Sequence, residues 1–570
     1  MKIQIHLMTC LLLLLGVAPR PSSQAITIPA PFVEAVKGVT PIFQNDGQKA
    51  LDVPALNAAG CSFKNGARCA DLDVTYIERT PRYSRYALDY RLQPGDPWGI
   101  PRLCEGTEDD KRWPDEGETV TYTAHIINKG TAKSSRFRFE WLIDGTVVAQ
   151  GTSRALRPGA EQTFDYSTAF PASPETIEFR VEPRGPARKE AFTINNRLTI
   201  GSHDLTIAIW VEQGLYDIFN RELNVVGTRS FEDWLQAQFT WMNERFDLSR
   251  YPVAPQGILD RVRIDKMVVA PELDADFPFP APVCAPYAAD PNGLLIDGAW
   301  QFKDGDPTNA VGIDGWYERY VHETDGYVIP LPGSTPRVLG FDTGLVHELA
   351  HQLGVIDLYR VDYGPFEVTD LGGEVIPREK LPFPDICGTL NPYPGIMAGG
   401  DTSPHRDPNY FESHTAGGMN SHYNYRRGYF GEYLFDTPAQ TYVNFIDSSG
   451  DPLADVFVQF YQKYALMDTF DNEPEIEALT DAQGRMLLPN RVPEVPVVTA
   501  TGHTLRPNPF GQIFHEGSNA VMFVRAVQDG QELYGWLSLL DLNLAYWQGH
   551  TEQAEFTIQL VPPGTNSCPP

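Results

Sequence analysis

The sequence predicts a multidomain chain in which a mixed α/β (α+β) segment is flanked by all-β, immunoglobulin-like sandwich domains. Three observations predict it. The chain has 570 residues, more than one hydrophobic core organises, which implies about three to five domains. Its earlier and final parts alternate apolar and polar residues with period two, between frequent Gly and Pro turns. Its middle carries two stretches with apolar residues three and four apart, the spacing of a helix with one buried face.

The N-terminus reads "MKIQIHLMTCLLLLLGVAPRPSSQA". Lys2 is a short positive region, and the apolar stretch 7–18 is too short to span a bilayer. Small residues at Ser23 and Ala25 suit signal peptidase. Residues 1–25 are therefore expected to be a signal peptide, and the mature chain secreted, with no transmembrane segment. Cleavage removes Cys10 and leaves Cys61, Cys69, Cys104, Cys284, Cys387 and Cys568. An even number in an oxidising compartment permits up to three disulfides. Residues 26–69 show little periodicity and read as an irregular lead-in or a propeptide. The net charge of -29 argues against nucleic acid as a partner, because phosphates would be repelled.

Residues 70–201 read as short strands. "TVTYTAHII" places Val120, Tyr122, Ala124 and Ile126 on one face; "RFRFEWLI" does the same for Phe137, Phe139, Trp141 and Ile143. Asp144-Gly145 follows as a hairpin turn. The rhythm suits a seven-stranded sandwich. With "NKG", "DG", "PGAEQT" and a terminal "NN" in order, the segment resembles the bacterial cell-adhesion-related sandwich domain, with "ADLDVTYI" as its first strand and residues 82–116 as an insertion. That resemblance implies a spacer or adhesive module contacting cell-surface or matrix components.

Residues 202–436 mix strands and helices. "DLTIAIWV", "RVRIDKMVV", "GLLIDGAW" and "GYVIPLPG" read as strands. "SFEDWLQAQFTWMNERF" reads as a helix opened by a capping box of Ser230 and Asp233. Residues 437–570 return to β-structure: "TYVNFIDSSGDPLADVFVQFYQ" and "LTDAQGRMLLP" resemble the small sandwich domains of carboxypeptidase-regulatory type, and residues from 519 to 547 read as closing strands.

The chemistry concentrates in "TGLVHELAHQLG". Leu345, Val346, Leu349, Ala350 and Leu353 form a helical core stripe. Gly354 suits a left-handed helix end. His347 and His351 then lie one turn apart on one face, with Glu348 beside them. Two histidines at that spacing supply two zinc ligands without bending the backbone, and Glu348 is placed as the general base that takes a proton from a zinc-activated water. Asp357 lies ten residues beyond His347, past the turn at Gly354, and Asp is a competent oxygen ligand for zinc. "HELAHQLGVIDLY" resembles the immune inhibitor A family of secreted bacterial metallopeptidases, which are metzincin-like. The resemblance implies a zinc endopeptidase acting on protein or peptide substrates, with His347, His351 and Asp357 on zinc and Glu348 as base. It also implies a Met-turn, which "NPYPGIMAGG" fits through Met397, a structural methionine. Gly399 stands where some metzincins carry a tyrosine, so the oxyanion-stabilising group is unassigned.

Glu367 and Glu374 compete as third ligand, but their surroundings read as loop or hairpin. His405, His414 and His422 lie beyond the Met-turn, and His422 reads as structural or lining. Calcium stands second to zinc. "DADFP", "KDGDPTNAVGIDG" and "DLYRVDYG" offer carboxylates, yet none matches an EF-hand loop. The alternative to an exported zinc endopeptidase is a surface or matrix adhesion protein with an inactive metallopeptidase-like domain. Retention of Glu348 favours the enzyme, since a binding-only descendant has no need of it.

Overall fold

The computed structural model describes residues 69–82, 88–89, 102–103, 113–184, 190, 193–214, 216–217, 230–273, 297–302, 343–356, 358, 368–369, 375–376, 395–397, 410–423, 436–462, 473–489, 497–498, 504–505 and 521–563. Residues 1–68, "GYVIPLPG", Asp357, Glu367, Glu374, Gly399, His405 and the segments considered for calcium lie outside them, apart from Leu358 in the last. Among the described residues no helix is long and apolar enough to cross a membrane. Cys69 is disulfide-bonded.

Seven strands build the first sandwich: β1 (Leu72–Thr80), β2 (Thr119–Asn128), β3 (Phe137–Ile143), β4 (Thr146–Ser153), β5 (Glu161–Ala169), β6 (Thr176–Pro183) and β7 (Arg197–Gly201). One sheet has the order β1-β2-β5, the other β4-β3-β6-β7, and all their pairings are antiparallel. Alternation on β2 buries Val120, Tyr122, Ala124 and Ile126 against Phe137, Trp141 and Phe179. Burial of Val120, Ile126, Phe137 and Phe179 contributes about 1.5–3 kcal/mol each. The hairpin turn takes positive φ at Asp144 (46°) and Gly145 (75°), as a two-residue hairpin of right-twisted strands requires.

The mixed segment opens with β8 (Leu205–Glu212), α1 (Phe231–Leu248), β9 (Val262–Ala270) and β10 (Gly298–Phe302). The strands form a parallel sheet ordered β9-β8-β10. The residues of β8 are buried throughout, as befits the central strand of a covered parallel sheet. Then follow α2 (Thr343–Gln352) and α3 (Ser413–Ser421). The stripe Leu345, Val346, Leu349, Ala350 and Leu353 packs into one core with Ile207, Ile209, Trp234, Met242, Trp300 and Phe302.

The last part is a second sandwich of β11 (Gln440–Ile446), β12 (Phe457–Gln462), β13 (Ile476–Leu479), β14 (Arg485–Leu487), β15 (Val521–Gln528), β16 (Gln531–Ser538) and β17 (Gln553–Gln559). Its sheets run β14-β11-β17 and β13-β12-β15-β16.

Two sequence expectations need correction. Residues Leu539–Trp547 form a helix, α4, and not a closing strand. Ser538 caps it by accepting a hydrogen bond from the Leu540 amide (3.2 Å), and Leu539, Leu542 and Asn543 are buried at helical spacing. The strand expected over "GLLIDGAW" begins at Gly298 and runs to Phe302.

The β1 strand serves two layers. Its Leu72, Val74 and Ile77 enter the sandwich core, with a bulge near Thr75 shifting the alternation. The same strand meets the parallel sheet and α1. The Arg79 amide donates to Asp265 Oδ1 (2.9 Å), Arg82 Nε to Asp265 Oδ2 (2.8 Å), and Gln236 Nε2 to the Thr75 carbonyl (3.1 Å). Lys129 pairs with Glu232 and Asp73. Burial alone would raise the Asp265 carboxyl, but the guanidiniums of Arg263, Arg82 and Arg79 hold it below its usual range. Burial alone would lower the Lys129 ammonium, but Glu232 and Asp73 raise it. Buried charges persist only when paired in this way.

Candidate functional site

The α2 helix ends in a Schellman motif. Gly354 takes φ 90°, its amide donates to the His351 carbonyl (3.0 Å), and the Val355 amide donates to the Ala350 carbonyl (3.2 Å). A Cβ at position 354 would be strained, so glycine is required there. The reversal brings the chain back beneath the helix. The Leu358 amide donates to the Met397 carbonyl (2.9 Å), and both residues are fully buried.

The two histidines are oriented by backbone carbonyls. His347 Nδ1 lies 2.9 Å from the Ile396 carbonyl, and His351 Nδ1 lies 2.8 Å from the Val355 carbonyl. A carbonyl oxygen only accepts, so each Nδ1 carries a hydrogen and each Nε2 is left for another partner. The two Nε2 atoms approach to 3.2 Å, with the rings nearly perpendicular (88°). At that separation the two nitrogens share either a proton, as a hydrogen bond, or a metal cation. Two zinc–nitrogen bonds of usual length at the tetrahedral angle would set the nitrogens about 3.3 Å apart. The donor set and its spacing therefore fit zinc. His351 is 5% exposed, while His347 and Glu348 are half-buried.

Of the predicted site residues, the structure brings His347, His351 and Met397 together through the Ile396 carbonyl and the Leu358–Met397 hydrogen bond. Glu348 stands on the same helix between the histidines. Asp357 is outside the described residues, between Ile356 and Leu358, which are both buried. Among the described residues no group of three or more His, Cys, Asp or Glu is gathered as a metal site. The segments beside Glu367 and Glu374 form a hairpin, Val368–Thr369 pairing with Val375–Ile376.

Of the histidines that follow Met397, His414 and His422 are bound elsewhere. His414 Nε2 lies 3.1 Å from Asn543 Oδ1, and His422 Nε2 lies 3.4 Å from Asp436 Oδ2. Burial pushes the His414 imidazole down to about 4, against a smaller opposing effect of the Asn543 hydrogen bond. Sequence reasoning missed the support behind the Met-turn. Gly395 lies so close to the buried Glu412 that a Cβ would fall 2.6 Å from its carboxyl carbon. The tight Gly395 is the one local signal for that contact.

The CARDB family model matches residues 104–199, which hold β2 to β6 and the start of β7. Solved structures similar to parts of the chain include a CARDB domain from Pyrococcus furiosus, at 16% identity over 24% of this chain and 94% of that one, with a TM-score of 0.15. A putative cell surface protein domain from Methanosarcina acetivorans is 28% identical over 16% of this chain and 80% of that one, with a TM-score of 0.14. β-Glucosidase 3B from Thermotoga neapolitana is 18% identical over 16% of this chain and 15% of that one, with a TM-score of 0.10. No protein curated for function matches the chain. Residues 104–199 are a CARDB domain, a cell-adhesion-related β-sandwich.

Proposed function

We propose that the chain is an exported zinc-dependent endopeptidase of metzincin type whose CARDB sandwich holds it at cell-surface or matrix components. The observation that carries the zinc reading is the convergence of His347 and His351 Nε2 at 3.2 Å with both Nδ1 atoms committed to carbonyls. These two rings would hold the ion, with Asp357 as the expected third ligand. Zinc, when bound, supplies Lewis-acid polarisation and lowers the pKa of water to about 7. Glu348 would take the proton of the attacking water and later pass it to the leaving amine. Met397 would act by packing alone.

The test is metal content by elemental analysis together with casein hydrolysis, with and without chelator. Stoichiometric zinc, hydrolysis lost on chelation, and an inactive Glu348→Gln protein are the expected results. An active Glu348→Gln protein would sink the mechanism.

A second reading is a surface or matrix binding protein whose metallopeptidase-like domain is inactive. The CARDB match at 104–199 favours the adhesive part of this reading and is silent on residues 343–397. Stoichiometric zinc without hydrolysis by the mature chain, freed of residues 26–69, would support it.

A further inference from the structure

The His347 ring is held by the Ile396 carbonyl, so its orientation depends on what holds Ile396. The Ile396 amide donates to the Tyr410 carbonyl (2.9 Å), and Gly395 packs on the Glu412 carboxylate and the Tyr410 carbonyl at separations that leave no room for a Cβ. Glu412 is 2% exposed. It occupies the N-cap of α3, where the helix dipole favours a negative charge, and its Oε2 accepts from the Thr415 hydroxyl (3.2 Å). The intervening Phe411 is fixed from both sides. Its amide donates to Ser249 Oγ (3.0 Å) and its carbonyl accepts from the Tyr251 hydroxyl (2.7 Å). A rigid path thus runs from the end of α1 through residues 410–412 to the turn, and from the turn to His347.

We propose that Glu412 is a positioning residue: its carboxylate, braced by Thr415, presses on Gly395 and sets the Ile396 carbonyl where it fixes the tautomer and tilt of His347. The proposal rests on the zinc reading of the His347–His351 pair. A buried carboxylate at this place is costly unless its position matters, because an apolar side chain would fill the same space without the desolvation penalty.

The experiment compares Glu412→Gln, Glu412→Asp and Glu412→Ala in the full chain. Gln keeps the length and an acceptor oxygen for Thr415. Asp keeps the charge but withdraws the carboxylate from Gly395. Zinc affinity is measured by competition with a chromogenic chelator, and ligand geometry by the visible absorption of the cobalt-substituted protein. Asp and Ala should bind zinc about 10- to 100-fold more weakly, the range typical of groups that orient a metal-binding histidine, and should alter the cobalt bands. Gln should restore both. Wild-type zinc affinity and cobalt spectrum in folded Ala or Asp protein overturn the proposal, even if the melting temperature falls. Should Ala fail to fold, Asp decides alone. If the unaltered protein binds neither zinc nor cobalt, the zinc reading itself fails and takes this proposal with it.

Discussion

The α2 helix carries two histidines, a second pair lies on and just after α3, and the pairs differ in which ring nitrogen is occupied. On α2 both Nδ1 atoms are taken by carbonyls and both Nε2 atoms point at one place. On and just after α3 the Nε2 atoms are directed to side chains, Asn543 for His414 and Asp436 for His422. Asn543 is itself oriented, since its Nδ2 donates to the Asp436 carbonyl (2.7 Å), leaving Oδ1 to accept from His414. The first pair converges, Nε2 to Nε2. The second pair ties α3 to the C-terminal sandwich. Burial does not separate them, since His351, His414 and His422 are all buried; the direction of the nitrogens does.

The largest effect that would break this comparison is on metal binding. His351→Ala should weaken zinc binding by more than about 100-fold, beyond the range of supporting groups, whereas His414→Ala should keep full zinc content by elemental analysis. Next, Glu348→Gln should retain zinc yet lower peptide hydrolysis by about 10²–10⁴-fold, measured as kcat/KM on a peptide substrate. Third, Asn543→Ala should lower the free energy of unfolding by about 1–3 kcal/mol, by stranding buried polar groups, with zinc content unchanged in denaturant titrations of the loaded protein.

The smallest effects are those of pH. The folded state holds His414 at about 4, below its ordinary 6.5, so it binds fewer protons than the unfolded chain in that interval. The stability this group contributes is present above about 6.5 and is lost as pH falls through 4. Glu190 behaves oppositely. Burial raises its carboxyl from 4.5 to about 7, against a smaller lowering by the Leu72 amide. Its contribution is present below about 4.5 and is lost as pH rises through 7. Thermal midpoints between pH 4 and 8 should show His414→Gln flattening the acid limb and Glu190→Gln flattening the neutral one.

What the sequence made legible was local. The α2 stripe, the Gly354 stop and the i, i+4 histidines are all set within twelve residues, and the hairpin at Asp144-Gly145 within two. The α3 helix was illegible because "SHTAGGMNS" is poor in helix formers and holds two adjacent glycines. It forms because Gly417 admits the Trp547 ring, which a Cβ would meet at 2.5 Å, a contact across 130 residues. The same distance problem hid Glu412 behind Gly395. Asp71 just before β1, and Asp73 and Arg79 on it, alternate with apolar residues, the pattern of a strand with one face in water. They are buried because a second layer covers that strand, which period two alone does not reveal. The Ser538 cap was the overlooked signal for α4.

That doubly covered strand has a mechanical consequence. A domain joined by a slack linker passes on tension only after the linker straightens. Here a load on the first sandwich would reach the parallel sheet at once, as shear on Arg79, Arg82 and Asp265 and on Lys129 and Glu232. The sandwich is a bracket and not a tether. If it grips a surface, the histidine helix is held at a fixed height and tilt above that surface, and reach becomes a property of the fold.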